Sequence, residues 1–251
     1  METPDYGNWV PQKIMHISLL ASIVSFLLTL LNNIQLLDTA LAISSLGFLS
    51  LFIYLRYVHW LLEKDGQAMQ KQFWNLLIEH LQWDGAGDAL DIGTGNGPLA
   101  IFLAKKYPTS TVKGIDYWGN PWTYSKEKCE INARIEYVSN RTSFERASAV
   151  SLPFDDEVFG AVLSNFVFHA IKGEDRVQLI AEALRVLRKG GAYAFQDLFN
   201  DEFYSNDFLE VVRSWGLREV NFVESLEYVY VPFALKMKHM TGGSGILYGI
   251  K

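Results

Sequence analysis

The sequence has 251 residues, 49% of them apolar, and its 22 basic against 28 acidic side chains give a formal charge of −6. That length accommodates one full domain with an appendage, and the acidic balance lacks the basic footprint of a nucleic-acid binder. The single cysteine, Cys129, excludes an internal disulfide and a cysteine-based metal cluster; no metal site is expected, and a reducing, cytosol-facing environment is the simplest reading.

Residues 14–37 carry no Lys, Arg, Asp or Glu, a run long enough to cross a hydrocarbon core of ~30 Å as a helix. A second run, residues 39–55, is completed through Tyr57, Val58, Trp60, Leu61 and Leu62, with Arg56 and His59 near the interface. Together, residues 1–64 read as a transmembrane helical hairpin that meets the membrane over residues 14–62. Lys13 precedes the hairpin and Arg56, Lys64 and Lys71 lie at or after its end, while the turn at Asn32 and Asn33 has no basic residue. The positive-inside rule then gives a two-span membrane protein with both termini and the following domain cytoplasmic. A cleaved signal peptide fits poorly, because the start is acidic (Glu2, Asp5) and two apolar runs are present. A buried soluble pair or an interfacial hairpin stays open, since Ser18, Ser22, Ser25, Ser44, Ser45 and Ser50 dilute both runs.

At residues 63–66 the composition turns from apolar to mixed, and the second domain is placed at 65–251. Residues 67–81 carry Phe73, Leu77 and Leu81 four apart, an amphipathic helix able to cover a sheet. The stretch Asp88-Ala89-Leu90-Asp91-Ile92-Gly93-Thr94-Gly95-Asn96-Gly97-Pro98 follows, a short buried strand running through three alternating glycines into a helix start. Pro98 stands where a dinucleotide turn needs its third glycine, and Asp91 would repel a diphosphate while suiting a sulfonium or ammonium. A second strand over residues 111–115 ends in Asp116-Tyr117-Trp118. Asp116 lies about 20 residues beyond the glycines, the spacing at which a strand-end acid accepts both hydroxyls of a ribose.

The string Asp91 to Gly97 resembles the first motif of class I S-adenosylmethionine-dependent methyltransferases. That resemblance implies a Rossmann-like α/β fold: a seven-stranded sheet, mostly parallel with the last strand antiparallel, helices on both faces, here preceded by the two-helix hairpin. It implies S-adenosyl-L-methionine as cofactor, with Asp91, Gly93, Thr94, Gly95 and Gly97 in the turn, Asp116 on the ribose and Tyr117 packing on adenine. After a helix over residues 121–137 and a strand over 141–146, Ala147-Ser148-Ala149 to Leu152-Pro153-Phe154 resembles the family's G-D-A-x-x-L-P-F segment. Ser148 replaces the aspartate that accepts the adenine amino group, so the hydroxyl of Ser148 and the backbone of Ala149 are the remaining candidates.

Residues 160–164 read as a fourth strand with Asn165, Phe168 and His169 at its carboxyl end, where an open parallel sheet binds ligands. Asn165 is placed toward the methionine part of the cofactor. His169 has two readings, a general base and a residue that caps or packs the next helix. A helix over residues 174–187 leads through Arg188-Lys189-Gly190-Gly191 into a strand over 192–196, and Asp197 falls near the cleft. A helix over 203–215 and strands over 217–226 and 246–250 complete the body. Residues 228–240, with Lys236, Lys238 and His239, read as substrate lining, a lipid-resting surface or a packed extension. By resemblance the chain is then a membrane-anchored methyltransferase acting on a small-molecule or lipid acceptor; a non-catalytic cofactor-binding or scaffold protein is the alternative.

Overall fold

The structure, a computed structural model, describes residues 2–31, 34–119, 121–200, 207–237 and 240–251, with the side chains of 64–67 left out. Asn32, Asn33, the side chain of Lys64, Phe203, Lys238 and His239 therefore lie outside the described residues. The chain folds into two compact units: residues 7–68 with 119–123, and residues 1–6 with 69–118 and 124–251.

The first unit holds α1 (Gln12–Leu31) and most of α2 (Gln35–His80). Ser22 and Ser45 pair the two helices reciprocally: each hydroxyl donates to the other's backbone carbonyl at 2.9 Å. Small residues allow such close approach, and each hydroxyl finds a partner inside the pair. Outward, Ile17, Leu20, Leu31, Leu36, Ile43 and Leu46 are exposed. Only 17% of the apolar window in α1 and 6% of that in residues 35–63 is buried. The helices are long and apolar enough to cross a membrane.

The second unit is a seven-stranded sheet of β1 (Asp88–Ile92), β2 (Thr111–Asp116), β3 (Thr142–Arg146), β4 (Phe159–Asn165), β5 (Leu187–Leu198), β6 (Glu219–Glu224) and β7 (Ser244–Ile250). Its spatial order is β3-β2-β1-β4-β5-β7-β6. Neighbours are parallel from β3 to β5, and β7 runs antiparallel to both β5 and β6, as the sequence led us to expect. The order reverses between β1 and β4, the place where such sheets open a crevice at their carboxyl ends.

One face of the sheet (Leu90, Ile92, Val162, Phe195, Leu247) packs with Leu179, Ile180, Ala183 and Leu184 of α5 (Arg176–Arg185) and with Phe208 and Val212 of α6 (Phe208–Arg213). The spacing of those α5 side chains is the amphipathic stripe of a core-facing helix. Toward the other face the end of α2 sets Phe73 edge-on to Phe166 and His80 edge-on to Tyr248, at 5.5 and 4.9 Å between ring centroids. Helix α3 (Pro98–Lys106) starts on Gly97 in the left-handed region with Pro98 in its first turn, where a missing N–H costs nothing.

Several boundaries differ from the sequence expectations. The compositional step at residues 63–66 falls inside the continuous helix α2. The helix expected over residues 121–137 is the shorter α4 (Lys126–Ile135), because Ser125 accepts the Lys128 N–H and caps it there. Of the helix expected over residues 203–215, α6 is described over Phe208–Arg213, and residues 203–206 lie outside the described residues. Strand β5 starts at Leu187, opposite Phe159, and its Gly190 and Gly191 exchange backbone bonds with Lys251.

Candidate functional site

The glycine turn between β1 and α3 is fixed from both sides. Gly93, Gly95 and Gly97 have φ of 73°, 59° and 87°, a region that L side chains avoid. A Cβ on Gly93 would also stand 2.2 Å from the Val167 side chain, so the loop after β4 presses directly on the turn. The N–H groups of Gly93 and Thr94 donate to the Ile115 carbonyl, which ties the turn to β2.

Asp91 lies beneath the turn, 1% exposed. Its Oδ2 accepts the Thr94 hydroxyl at 2.6 Å and the Ala100 N–H at 3.2 Å, joining β1, the turn and the first turn of α3. Burial pushes its carboxyl up to about 7; those two donors pull it down, and the charge of Asp116 adds to the rise. Proton and cation therefore compete for this carboxylate near neutrality.

Asp116, at the end of β2, accepts the Gly95 N–H on Oδ2 at 2.9 Å and the Trp118 N–H on Oδ1 at 2.8 Å. Burial raises its carboxyl above the ordinary range, against the pull of those backbone donors. Trp118 adopts a φ of 44° and donates its indole N–H to the Gly95 carbonyl at 2.8 Å. Gly95 thus has both backbone groups engaged by the segment that ends β2. Tyr117 is 64% exposed and carries the Arg146 guanidinium 4.6 Å above its ring centre, so its face is already a cation platform.

The Ser148 segment reaches the same strand end through the Ala147 N–H, which donates to the Asp116 carbonyl. The Ser148 hydroxyl accepts the Val150 N–H at 3.2 Å, and Ala149 packs against the core. Asn165 closes β4, followed by Phe166 at a φ of 55°. Non-glycine residues held in the left-handed region, here Trp118 and Phe166, cluster at ligand clamps and active sites.

His169 sits in the 3-10 turn Phe168–Ala170 just beyond β4. Its Nδ1 lies 2.5 Å from Asp197 Oδ1, and its backbone N–H donates to Asp197 Oδ2 at 3.0 Å. Asp197 is buried near the end of β5, where it also accepts the Leu198 N–H.

Hydrogen bonds therefore join Asp91 to Thr94 and Gly95 to Asp116, Gly93 is tied to β2 through the Ile115 carbonyl, and Gly97 closes the turn by donating to the Thr94 carbonyl. Ser148 and Ala149 adjoin Asp116 through Ala147. Asn165 and His169 belong to the neighbouring strand end. Sequence reasoning missed a strap: the Asp5 carbonyl accepts from Asn96 and from Asn132, whose Oδ1 accepts the Asp5 N–H. Asn132 also donates to the Asn96 carbonyl, so one buried amide staples the N-terminal residues to the turn. An amide on the buried side of α4 was the only signal for it in the sequence.

A turn with two carboxylates at its base and no Lys or Arg between Asp88 and Pro98 suits a ligand with positive charge and hydroxyls better than a polyphosphate. Residues 90–195 match the family model described as a methyltransferase domain. Over those residues the chain carries a methyltransferase domain of the S-adenosylmethionine-dependent kind.

Among curated relatives, the methyltransferase domain is similar to Methyltransferase GfsG of Streptomyces halstedii, 33% identical over 137 residues, covering 55% of this chain and 45% of the relative. It is also similar to the ubiquinone/menaquinone biosynthesis C-methyltransferase UbiE of Desulfotalea psychrophila, 29% identical over 132 residues, covering 52% of this chain and 50% of the relative. The chain thus spans about half the length of each. Among solved structures, geranyl diphosphate C-methyltransferase from Streptomyces coelicolor aligns with a TM-score of 0.57 at 14% identity, covering 72% of this chain and 79% of that one. The [4+2]-cyclase SpnF aligns with a TM-score of 0.58 at 21% identity, covering 75% and 85%. Both likenesses are of fold. S-adenosylmethionine is the cofactor of the family, and the donor set of the glycine turn is chemically suited to it.

Proposed function

We propose that this protein is a membrane-anchored enzyme that moves a methyl group from S-adenosylmethionine to a lipophilic acceptor. The observation that carries the reading is the single unit made by the glycine turn and the two acids, in which Asp116 holds the Gly95 N–H and Asp91 holds Thr94 and Ala100. In this reading Asp91, Gly93, Thr94, Gly95 and Gly97 cradle the methionine end and its charge. Asp116 takes the ribose, and Tyr117, Ser148 and Ala149 line the adenine side. Asn165 faces the methionine portion from β4.

When bound, the cofactor supplies an already activated methyl on a positively charged sulfur. The chain's own work is then alignment of the acceptor and exclusion of water, which concentrate the reactants in one geometry. Helices α1 and α2 supply the anchor, with their exposed Leu, Ile and Phe side chains against lipid. Lys13, Arg56 and Lys71 favour a cytoplasmic placement of the α/β unit. Anchoring beside a bilayer raises the effective concentration of any acceptor dissolved in it.

The test is to incubate the full chain in detergent micelles with methyl-labelled S-adenosylmethionine and a membrane lipid extract. Label in an organic-soluble product is expected; label confined to water-soluble products contradicts the lipophilic acceptor. A second reading, cofactor binding without turnover, is favoured by Ser148, whose hydroxyl stands where the family has aspartate and is engaged by Val150. Cofactor binding without release of the demethylated product from any extract would select it.

A further inference from the structure

A chain terminus is normally loose unless something ties it down. Asp5 and Tyr6 are tied down firmly, and within the α/β unit. Tyr6 is 3% exposed, its ring edge-on to Trp74 and Phe102 at 5.6 and 5.5 Å between centroids. Its hydroxyl donates to Glu136 Oε1 at 3.2 Å, and Lys128 reaches the Asp5 carboxylate at 2.8 Å on the surface.

The inner tie is made by the backbone of Asp5. Its N–H donates to Asn132 Oδ1 at 2.9 Å, and its carbonyl accepts from Asn132 Nδ2 at 2.9 Å and from Asn96 Nδ2 at 3.2 Å. Both asparagines are 1% exposed. Asn96 is the only side chain in the run Gly95-Asn96-Gly97, so it alone can anchor that half of the turn through a side chain. Its Oδ1 also accepts the N–H of Ser125, the cap of α4, and its carbonyl accepts the second Asn132 N–H at 2.9 Å.

Tyr124 lies beside the same turn, since a Cβ on Gly95 would stand 3.6 Å from its ring. Burial raises its hydroxyl above the ordinary range, and the charges of Asp116 and Asp5 add to the rise. The strap, the turn and the acid that ends β2 therefore share one neighbourhood. Lifting the strap would strip Asn132 of both bonds to Asp5 and leave the Asn96 amide N–H without its acceptor, at the turn itself.

We propose that Asp5 and Asn132 are positioning residues for the cofactor: with the strap clasped, Asn96 holds the glycine turn in the shape that receives S-adenosylmethionine. This rests on the methyl-transfer reading above and adds to it a part of the chain distant from the turn in sequence. Coupling of this kind is reciprocal, so a cofactor that binds better to the clasped turn must also hold the strap closed, by the same factor.

The experiment uses the full chain in dodecyl maltoside micelles with S-adenosylhomocysteine as the probe, titrated calorimetrically at a temperature where each protein is folded by its thermal transition. Asn132→Leu removes the clasp from α4, and deletion of residues 2–6 removes the strap. Both should bind the probe on the order of 10-fold more weakly than the parent. Lys128→Ala breaks only the surface ion pair and should stay within about twofold. In the parent, labelled with ¹⁵N-aspartate, saturating probe should slow hydrogen exchange of the Asp5 amide, also on the order of 10-fold. A strap that merely stabilises the fold would lower the unfolding midpoint when removed and move neither reading.

Probe affinity within about twofold of the parent in either folded variant, or an Asp5 amide whose exchange the probe does not slow, would overturn the proposal. If both variants fail to fold, the exchange measurement on the parent decides it. Failure of the parent to bind S-adenosylhomocysteine would instead overturn the methyl-transfer reading, a distinguishable result.

Discussion

Asp116 Oδ2 accepts the Gly95 N–H at 2.9 Å, so the acid that ends β2 and the middle glycine of the turn, 21 residues apart, form one structural piece. A ribose held by Asp116 would therefore be placed relative to whatever the turn holds. Asp116→Ala removes a charged hydrogen-bond acceptor from this junction. A loss of about 1.5–3 kcal/mol is expected, or roughly 10- to 150-fold in affinity for S-adenosylhomocysteine, read by titration calorimetry. An unchanged affinity would remove Asp116 from the cofactor site.

Gly93 is the least replaceable residue of the turn. Gly93→Ala demands a left-handed alanine and drives a methyl group into Val167. Together these cost about 2–5 kcal/mol, and the unfolding midpoint in detergent should fall by roughly 5–15 °C. Gly173 is also left-handed, but a Cβ there meets nothing, so Gly173→Ala should cost only the backbone share, about 1–2 kcal/mol.

The carboxyl of Asp91 gives a pH signature whose sign follows from linkage. Its value of about 7 in the folded chain is above the ordinary carboxylate value, so between pH 4 and 7 the folded state holds a proton that the unfolded state has released. Its contribution to stability is whole below pH 4 and is lost as pH rises through 7, up to about 4 kcal/mol. Urea unfolding of the parent and Asp91→Asn from pH 4 to 8 should show the parent losing stability relative to the variant. A bound cation favours the ionised carboxylate. Affinity for S-adenosylmethionine should therefore rise with pH across this window more than affinity for the neutral-sulfur S-adenosylhomocysteine.

If the first unit spans a bilayer, the chain should stay in the membrane pellet through an alkaline carbonate wash. Leu46, exposed on α2 within the apolar window, would then face lipid. Leu46→Arg introduces a cost of about 2.5–3.5 kcal/mol into that helix and should shift protein toward the wash supernatant. Release of the parent by the same wash would contradict a spanning hairpin.

Most strands were legible in the sequence because a short apolar run is followed by turn chemistry, as at Ile92-Gly93 and Asp116-Tyr117, whereas the seven-stranded sheet with its antiparallel last strand came from the family resemblance and the spatial order of the strands from the structure. The glycine turn could be read because its conformation demands glycine at every second position. What was not legible is long-range partnering. Nothing near Asn132 announces that its amide clasps Asp5 and Asn96, and nothing near Trp118 announces that its indole reaches back to Gly95. His169 and Asp197 were each placed at a strand end, but their pairing depends on how the loop after β4 folds over β5. The short α4 shows the same limit, since the cap at Ser125 overrides a continuous helical period.

The most direct test of the whole account is calorimetric titration of S-adenosylmethionine into the full chain in micelles, with folding checked by a cooperative thermal transition. The account predicts saturable one-to-one binding at micromolar to sub-millimolar cofactor, lost or strongly weakened in Asp116→Ala. A folded parent that binds neither S-adenosylmethionine nor S-adenosylhomocysteine at millimolar concentration would contradict it.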